Sequence, residues 1–176
     1  MLLSLQILLP LLGALLLAVL PWPNVGRLRR SAVGLSLLGL LLTIGLWLGG
    51  PAAAGEPLQV LRLDWLPALG MELHFRVDGI SLLFLLLTGL LTPVALFISG
   101  GIRQFPKAYF CLILCLQSML YGVFTAQNFF LWFLFWELSL IPAFLLIRLW
   151  GSGEQPGAAL RFFIMTLAGS LLMLAG

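Results

Sequence analysis

Six long stretches of this chain carry almost no charge, and that property decides which solvent it folds in. They cover residues 2–20, 31–50, about 80–99, about 108–126, about 128–150 and about 158–176. A helix needs roughly 20 apolar residues to cross a hydrocarbon core about 30 Å thick. Of the 176 residues, 62% are hydrophobic and 9% charged, where a soluble domain has about 25% charged. Such a chain cannot fill a core and also coat its surface with polar groups. The bilayer is its solvent.

The first run has neither the basic start nor the small-residue cleavage site of a signal peptide, so it reads as a retained helix, ended by Pro21-Trp22-Pro23. The last run is expected to be incomplete. From Arg161 to Gly176 there are 16 residues, about 24 Å of helix, and no polar anchor follows. The chain therefore reads as a fragment of a longer polypeptide. The expected fold is an all-α integral membrane protein with five complete transmembrane helices plus a truncated sixth. Residues 1–176 form a single membrane domain, and residues 51–79 an extramembrane loop.

That loop has its own pattern. Met71, Leu73, Phe75 and Val77 alternate with Glu72, His74 and Arg76, while Leu61, Leu63 and Trp65 alternate with Arg62 and Asp64. Period-two alternation marks half-buried strands, and Pro67-Ala68-Leu69-Gly70 between them reads as a turn. An amphipathic β-hairpin between helices 2 and 3 is expected, on the outer surface. Lysines and arginines set that orientation. Arg27, Arg29, Arg30, Arg103, Lys107, Arg148 and Arg161 fall on one side and only Arg62 and Arg76 on the other, so the N-terminus faces away from the cytoplasm or its equivalent.

Composition also excludes several chemistries. Cys111 and Cys115 sit four apart in an apolar run, which suits neither a disulfide framework nor a zinc site. One histidine, His74, cannot supply a bis-histidine haem, and two cysteines cannot hold a four-thiolate cluster. No redox cofactor is expected in this chain. The net charge of +3 reflects scarce acids. The basic residues lie in connections between the apolar runs, so nucleic-acid binding has no support.

Glu137 is the only carboxylate within the apolar runs. It lies nine residues after Asn128, about 13–14 Å into its helix and close to the membrane midplane. A charge there costs about 2.5–3.5 kcal/mol on insertion scales, which makes it a functional candidate by default. Pro142, five residues on, removes a backbone hydrogen bond and frees the carbonyl of Leu138. A kinked helix with a free carbonyl can hold water beside a buried carboxyl. Arg148 is about 16 Å further along the axis, too far to pair, so the compensating cation must come from elsewhere. Asp78, directly before the third run, reads as a helix N-cap, and Pro93 as a simple kink. The aromatic run Phe129, Phe130, Trp132, Phe133, Phe135 and Trp136 covers all helix faces, which suits lipid contact and helix packing rather than a quinone or pigment site.

The stretch Phe133-Leu134-Phe135-Trp136-Glu137-Leu138-Ser139-Leu140-Ile141-Pro142, closed by Leu149-Trp150-Gly151, resembles the fifth-helix signature of the antiporter-like M subunit (chain 4) of complex I. Val77-Asp78-Gly79-Ile80-Ser81 resembles that family's entry to helix 3. The preceding hairpin, Leu8-Leu9-Pro10 in helix 1, and Arg161-Phe162-Phe163 opening helix 6 also fit in order. The resemblance implies a proton-translocating membrane subunit of an NAD(P)H (or ferredoxin):quinone oxidoreductase. Glu137 would be the intramembrane proton-carrying carboxylate, with Pro142 as the helix kink beside it. It also implies fourteen helices with two inverted five-helix repeats. This chain would hold the first third, without the lysine of a discontinuous seventh helix to which the glutamate is coupled. Arg148 is unusual for its position in that family. NAD(P)H or ferredoxin, iron–sulfur clusters and quinone would reside in partner subunits. The other membrane-arm subunits and the lipid bilayer would be its partners, and a bacterial plasma membrane or cyanobacterial thylakoid its location. The single lysine, Lys107, suits a GC-rich bacterial gene. Subunits of a multisubunit sodium/proton antiporter or a membrane-bound hydrogenase share the fold and the glutamate. A non-pumping membrane scaffold is the third reading.

Overall fold

The computed structural model describes residues 2–49, 57–66, 71–152 and 155–175. Among them are six long helices: α1 (Leu2–Val19), α2 (Val25–Leu48), α3 (Gly79–Ile98), α4 (Pro106–Thr125), α5 (Phe129–Trp150) and α6 (Gln155–Ala175). All six are long and apolar enough to cross a membrane. Two starts differ from the hydropathy reading. Helix α2 begins at Val25, so Arg27, Arg29 and Arg30 lie in its first turns rather than in the connection before it. Asn24 caps it, its Oδ1 accepting from the Arg27 backbone N–H at 2.8 Å, and arginine is itself a good helix former. Helix α6 begins before the residues that the apolar run marks. It starts at Gln155 and has 21 residues, about 32 Å of helix, because the uncharged residues before Arg161 continue its backbone. The apolar run marked where lipid could be met, not where the helix begins.

Helix α4 is the hub: it packs against α1, α2, α3 and α5, while α6 packs on α5. Two apolar clusters build the interior. One joins Leu3, Ile7, Leu46, Phe75, Val77, Leu82, Leu85, Tyr121 and Leu131. The other joins Ala14, Leu17, Leu28, Ala32, Leu96, Phe110 and Leu114 towards the arginine-bearing ends. There Arg29 reaches the carbonyl end of α3, with Nη1 3.4 Å from Phe97 O and its guanidinium carbon 6.0 Å from the Phe97 ring. A cation at a helix C-terminus is favoured by the helix dipole.

The hairpin is present, with β1 (Gln59–Leu66) and β2 (Met71–Val77) antiparallel and Leu61 opposite Phe75. The proposed turn at residues 67–70 lies outside the described residues. Its apolar face behaves as the alternation requires: Phe75 and Val77 are buried, with Leu61 and Leu73 packed beside them. The hairpin also stitches helix ends together. Leu3 N donates to Gln59 Oε1 at 3.1 Å, Gln127 N to His74 O at 2.9 Å, and Asn128 Nδ2 to Glu72 O at 2.7 Å. His74 accepts from Arg62 Nε at 3.3 Å, consistent with a surface role within the sheet.

Asp78 caps α3 as expected, its Oδ1 accepting from Ser81 N at 2.8 Å. That backbone N–H, helped by the Ser81 hydroxyl and the charge of Arg76, holds the carboxyl below its ordinary value against the opposing effect of burial. A folded pKa below the unfolded one gives stability that is complete above the ordinary carboxylate range. It is lost as pH falls through the lowered value. Asp78→Ala should cost about 1 kcal/mol at neutral pH. Asp78→Asn should keep most of the cap but lose part of the acid-side dependence. Thermal unfolding of the purified protein at neutral and acid pH checks both. Coincident acid profiles for wild type and Asp78→Asn would exclude this role.

Candidate functional site

Helix α5 starts where Asn128 adopts an extended backbone and its Oδ1 accepts from Leu131 N at 2.7 Å. Because Asn128 also donates to the hairpin, the side chain fixes both the start and the position of the helix. Glu137 is its ninth residue, about 12 Å from Phe129 and about 20 Å from Trp150. It therefore lies inside the apolar span, somewhat nearer the hairpin end. Pro142 is buried within the same helix, and without an N–H it leaves the Leu138 carbonyl unbonded. One turn closer to Glu137, Ser139 Oγ donates to Trp136 O at 2.6 Å.

The Glu137 side chain is half-buried, and its Oε1 is shielded from solvent with no hydrogen-bond partner among the described residues. Arg148 does not approach it. The Arg148 guanidinium carbon stands 5.8 Å over the Phe144 ring, and Phe144 packs on Phe163 of α6 at 5.3 Å. Residues seven apart share a helix stripe, so Glu137 lies on the same α6-facing stripe as Phe144. The site thus brings together a buried carboxyl oxygen, a proline-freed carbonyl and the α6 side of α5. Among the described residues no cation joins them.

The aromatic run divides as its spacing suggests. Trp132 and Trp136 stack at 5.6 Å and Phe129 on Trp132 at 5.9 Å. Phe135 turns inward, meeting Phe75 edge-on at 5.8 Å. The two tryptophans border a groove of about 210 Å³ shared with Met165, Thr166, Gly169, Ser170 and Met173 of α6. The two hydroxyls there are spent on their own helix, Thr166 on Phe162 O and Ser170 on Leu167 O. Cys111 and Cys115 are free thiols, and Cys111 Sγ lies 3.3 Å from Ala14 O.

Sequence reasoning missed a second polar region. Gln6, Ser36, Thr43, Gln117, Ser118 and Tyr121 are all buried between α1, α2 and α4, at most 1% exposed. The available signal was that Gln6 and Gln117 are the only glutamines within the apolar runs.

Comparison with known proteins agrees with this arrangement. The family described as NADH:quinone oxidoreductase/Mrp antiporter, transmembrane, matches residues 126–176, the stretch that holds Glu137 and Pro142. NAD(P)H-quinone oxidoreductase chain 4 2 of Thermosynechococcus vestitus is 37% identical over 168 residues, covering 95% of this chain and 32% of that protein. Chain 4 of a Synechococcus species is 36% identical, covering 98% of this chain and 32% of that protein. The chain resembles chain 4 of NAD(P)H-quinone oxidoreductase over nearly its whole length. It spans about a third of the length of those curated relatives. A chain of respiratory complex I from Thermus thermophilus superposes with a TM-score of 0.83 at 30% identity, covering 99% of this chain and 34% of that one. The Mrp complex of a Dietzia species shares the fold alone, with a TM-score of 0.77 at 24% identity, covering 98% of this chain and 18% of that one. The six helices, each long and apolar enough to cross a membrane, fit a multi-pass membrane protein.

Proposed function

We propose that this chain forms part of a proton-translocating, antiporter-like membrane subunit of a NAD(P)H (or ferredoxin):quinone oxidoreductase, in which Glu137 carries protons within the membrane. The observation that supports this most directly is the Glu137 carboxyl itself. It lies inside an apolar helix, shares a stripe with the α6 contact, and has a shielded oxygen without a partner among the described residues. A carboxyl in lipid is costly in its charged form, so it binds or releases a proton according to what approaches it. Pro142 contributes by loosening the backbone beside it and leaving the Leu138 carbonyl for water. The polarity that completes the site comes from elsewhere in the complex.

On this reading residues 1–176 act as one membrane domain. The hairpin within 51–79 is an extramembrane element on the outer side, opposite the seven basic residues. Electron transfer occurs in partner subunits that hold the nicotinamide or ferredoxin site, the iron–sulfur clusters and the quinone. This chain's residues contribute the proton step.

A subunit of a multisubunit sodium/proton antiporter is the second reading, favoured by the family description and the shared fold with the Mrp complex. The higher identity to the quinone oxidoreductase subunits supports the first. Gentle purification from the native membrane separates them. Co-purification with iron–sulfur subunits and quinone reduction by the isolated complex is the expected result. Recovery with other antiporter subunits and no redox protein would overturn it in favour of the second.

A further inference from the structure

The structure carries a second polar region, apart from Glu137. Between the two apolar clusters of the bundle, two turns of α2 (Ser36 to Thr43) face α1 and α4 across polar side chains. Gln6 Nε2 donates to Gly39 O at 3.1 Å and to Thr43 Oγ1 at 2.7 Å, and Thr43 Oγ1 donates to Gly39 O at 3.0 Å. From α4, Gln117 Nε2 donates to Tyr121 Oη at 3.0 Å and lies 3.5 Å from Ser36 O. These donors fix the amide orientations, because a backbone carbonyl can only accept. Three atoms are then left over: Gln6 Oε1, Gln117 Oε1 and Ser36 Oγ are buried and have no hydrogen-bond partner among the described residues. Their residues are 0%, 1% and 0% exposed.

Two amide oxygens that can only accept cannot satisfy each other. Buried polar atoms in native proteins nearly always have a partner, and ordered water supplies it where the chain does not. The backbone admits the polar side chains at this level only through glycines. Both Gly39 of α2 and Gly89 of α3 sit against the Tyr121 hydroxyl, and a methyl at either would come within 3.1 Å of it. Pro93 leaves the Gly89 carbonyl without its helical donor.

We propose that Gln6, Ser36 and Gln117, with the hydroxyl of Tyr121, form an internal water-binding site inside the membrane span, joining α1, α2 and α4. Water suits the donor set better than a cation does. The site presents amide N–H groups as well as oxygens, and no carboxylate joins it among the described residues, whereas hard cations take all-oxygen, usually anionic cages. A water here accepts from the Ser36 hydroxyl and donates to the two amide oxygens. The polar layer is then complete without charge.

Tyr121, 0% exposed, is a built-in reporter, and Phe110, also 0% exposed, is the dry control. In X-ray radiolytic labelling of the purified native complex, a bound water yields hydroxyl radical on the spot. Tyr121 should gain oxygen several-fold faster than Phe110, and Gln6→Leu/Gln117→Leu should bring it down to the Phe110 rate. Equal rates in the wild type would overturn the proposal, whether or not the double variant assembles. A Tyr121 rate that depends on sodium, with choline as the replacement, would overturn it in favour of a cation site.

Discussion

Replacing Glu137 by glutamine is expected to abolish proton transport by the assembled complex while leaving its assembly unchanged. Glutamine keeps the length, shape and hydrogen-bonding capacity of glutamate but cannot ionise. The side chain is half-buried, and its shielded oxygen takes part in no hydrogen bond among the described residues. The exchange therefore breaks no observed contact, and it removes the cost of a charge in lipid, about 2.5–3.5 kcal/mol on insertion scales. Stability should be equal or slightly higher. Proton uptake by proteoliposomes, followed with a pH-sensitive dye, should fall to the level of protein-free vesicles, and quinone reduction coupled to it should slow. Glu137→Asp, which keeps the carboxyl but withdraws it by one methylene, should retain part of the activity. Near-normal pumping by the glutamine variant would leave Glu137 a packing residue and favour a scaffold.

The largest structural effect is expected at Gly122. Helices α4 and α5 approach so closely there that a methyl group on Gly122 would land inside the Phe135 ring. The ring has little freedom to retreat, since it already meets Phe75 of β2 edge-on at 5.8 Å. Gly122→Ala should destabilise the protein by about 1–3 kcal/mol, the usual cost of overpacking, and Gly122→Leu should prevent α5 from docking. The clash and its relief are coupled, so Phe135→Leu should cost less in the Gly122→Ala background than alone. A double-mutant cycle on thermal unfolding measures that difference. Unchanged stability of Gly122→Ala would mean that α4 and α5 do not meet as described.

What the chain disclosed in advance follows from how far each signal reaches along the sequence. Apolar runs, the alternation at Leu61–Trp65 and Met71–Val77, and the capping residue Asp78 act over a few residues, so they are legible one segment at a time. Helix starts were less so. Arg27, Arg29 and Arg30 look like a connection to a hydropathy window, yet they sit in the first turns of α2 under the Asn24 cap. Glu137 stands out because it is an acidic residue in an apolar run. Gln6, Ser36, Gln117 and Tyr121 do not, because uncharged polar residues are averaged away within apolar runs. Their meeting depends on α1 lying against α4, with Ser118 Oγ bonding Ile7 O across 111 positions of sequence. No local pattern encodes that pairing. The tight fit of Gly122 against Phe135 is equally invisible until the helices are in place.

Helix α5 is moored at both ends. At its start Asn128 holds the hairpin through Glu72 O. At its finish Trp150 Nε1 donates to Gln104 O at 2.9 Å in the connection between α3 and α4, and the Trp150 ring leans on Tyr109 at 5.2 Å. A rod pinned this way resists tilting as a whole and yields by bowing, and it bows where its backbone ladder has a rung missing. That rung is the Pro142 N–H, five residues from Glu137. On the proposed role of Glu137, force delivered to either end of the helix would arrive as curvature beside the carboxyl that carries the proton.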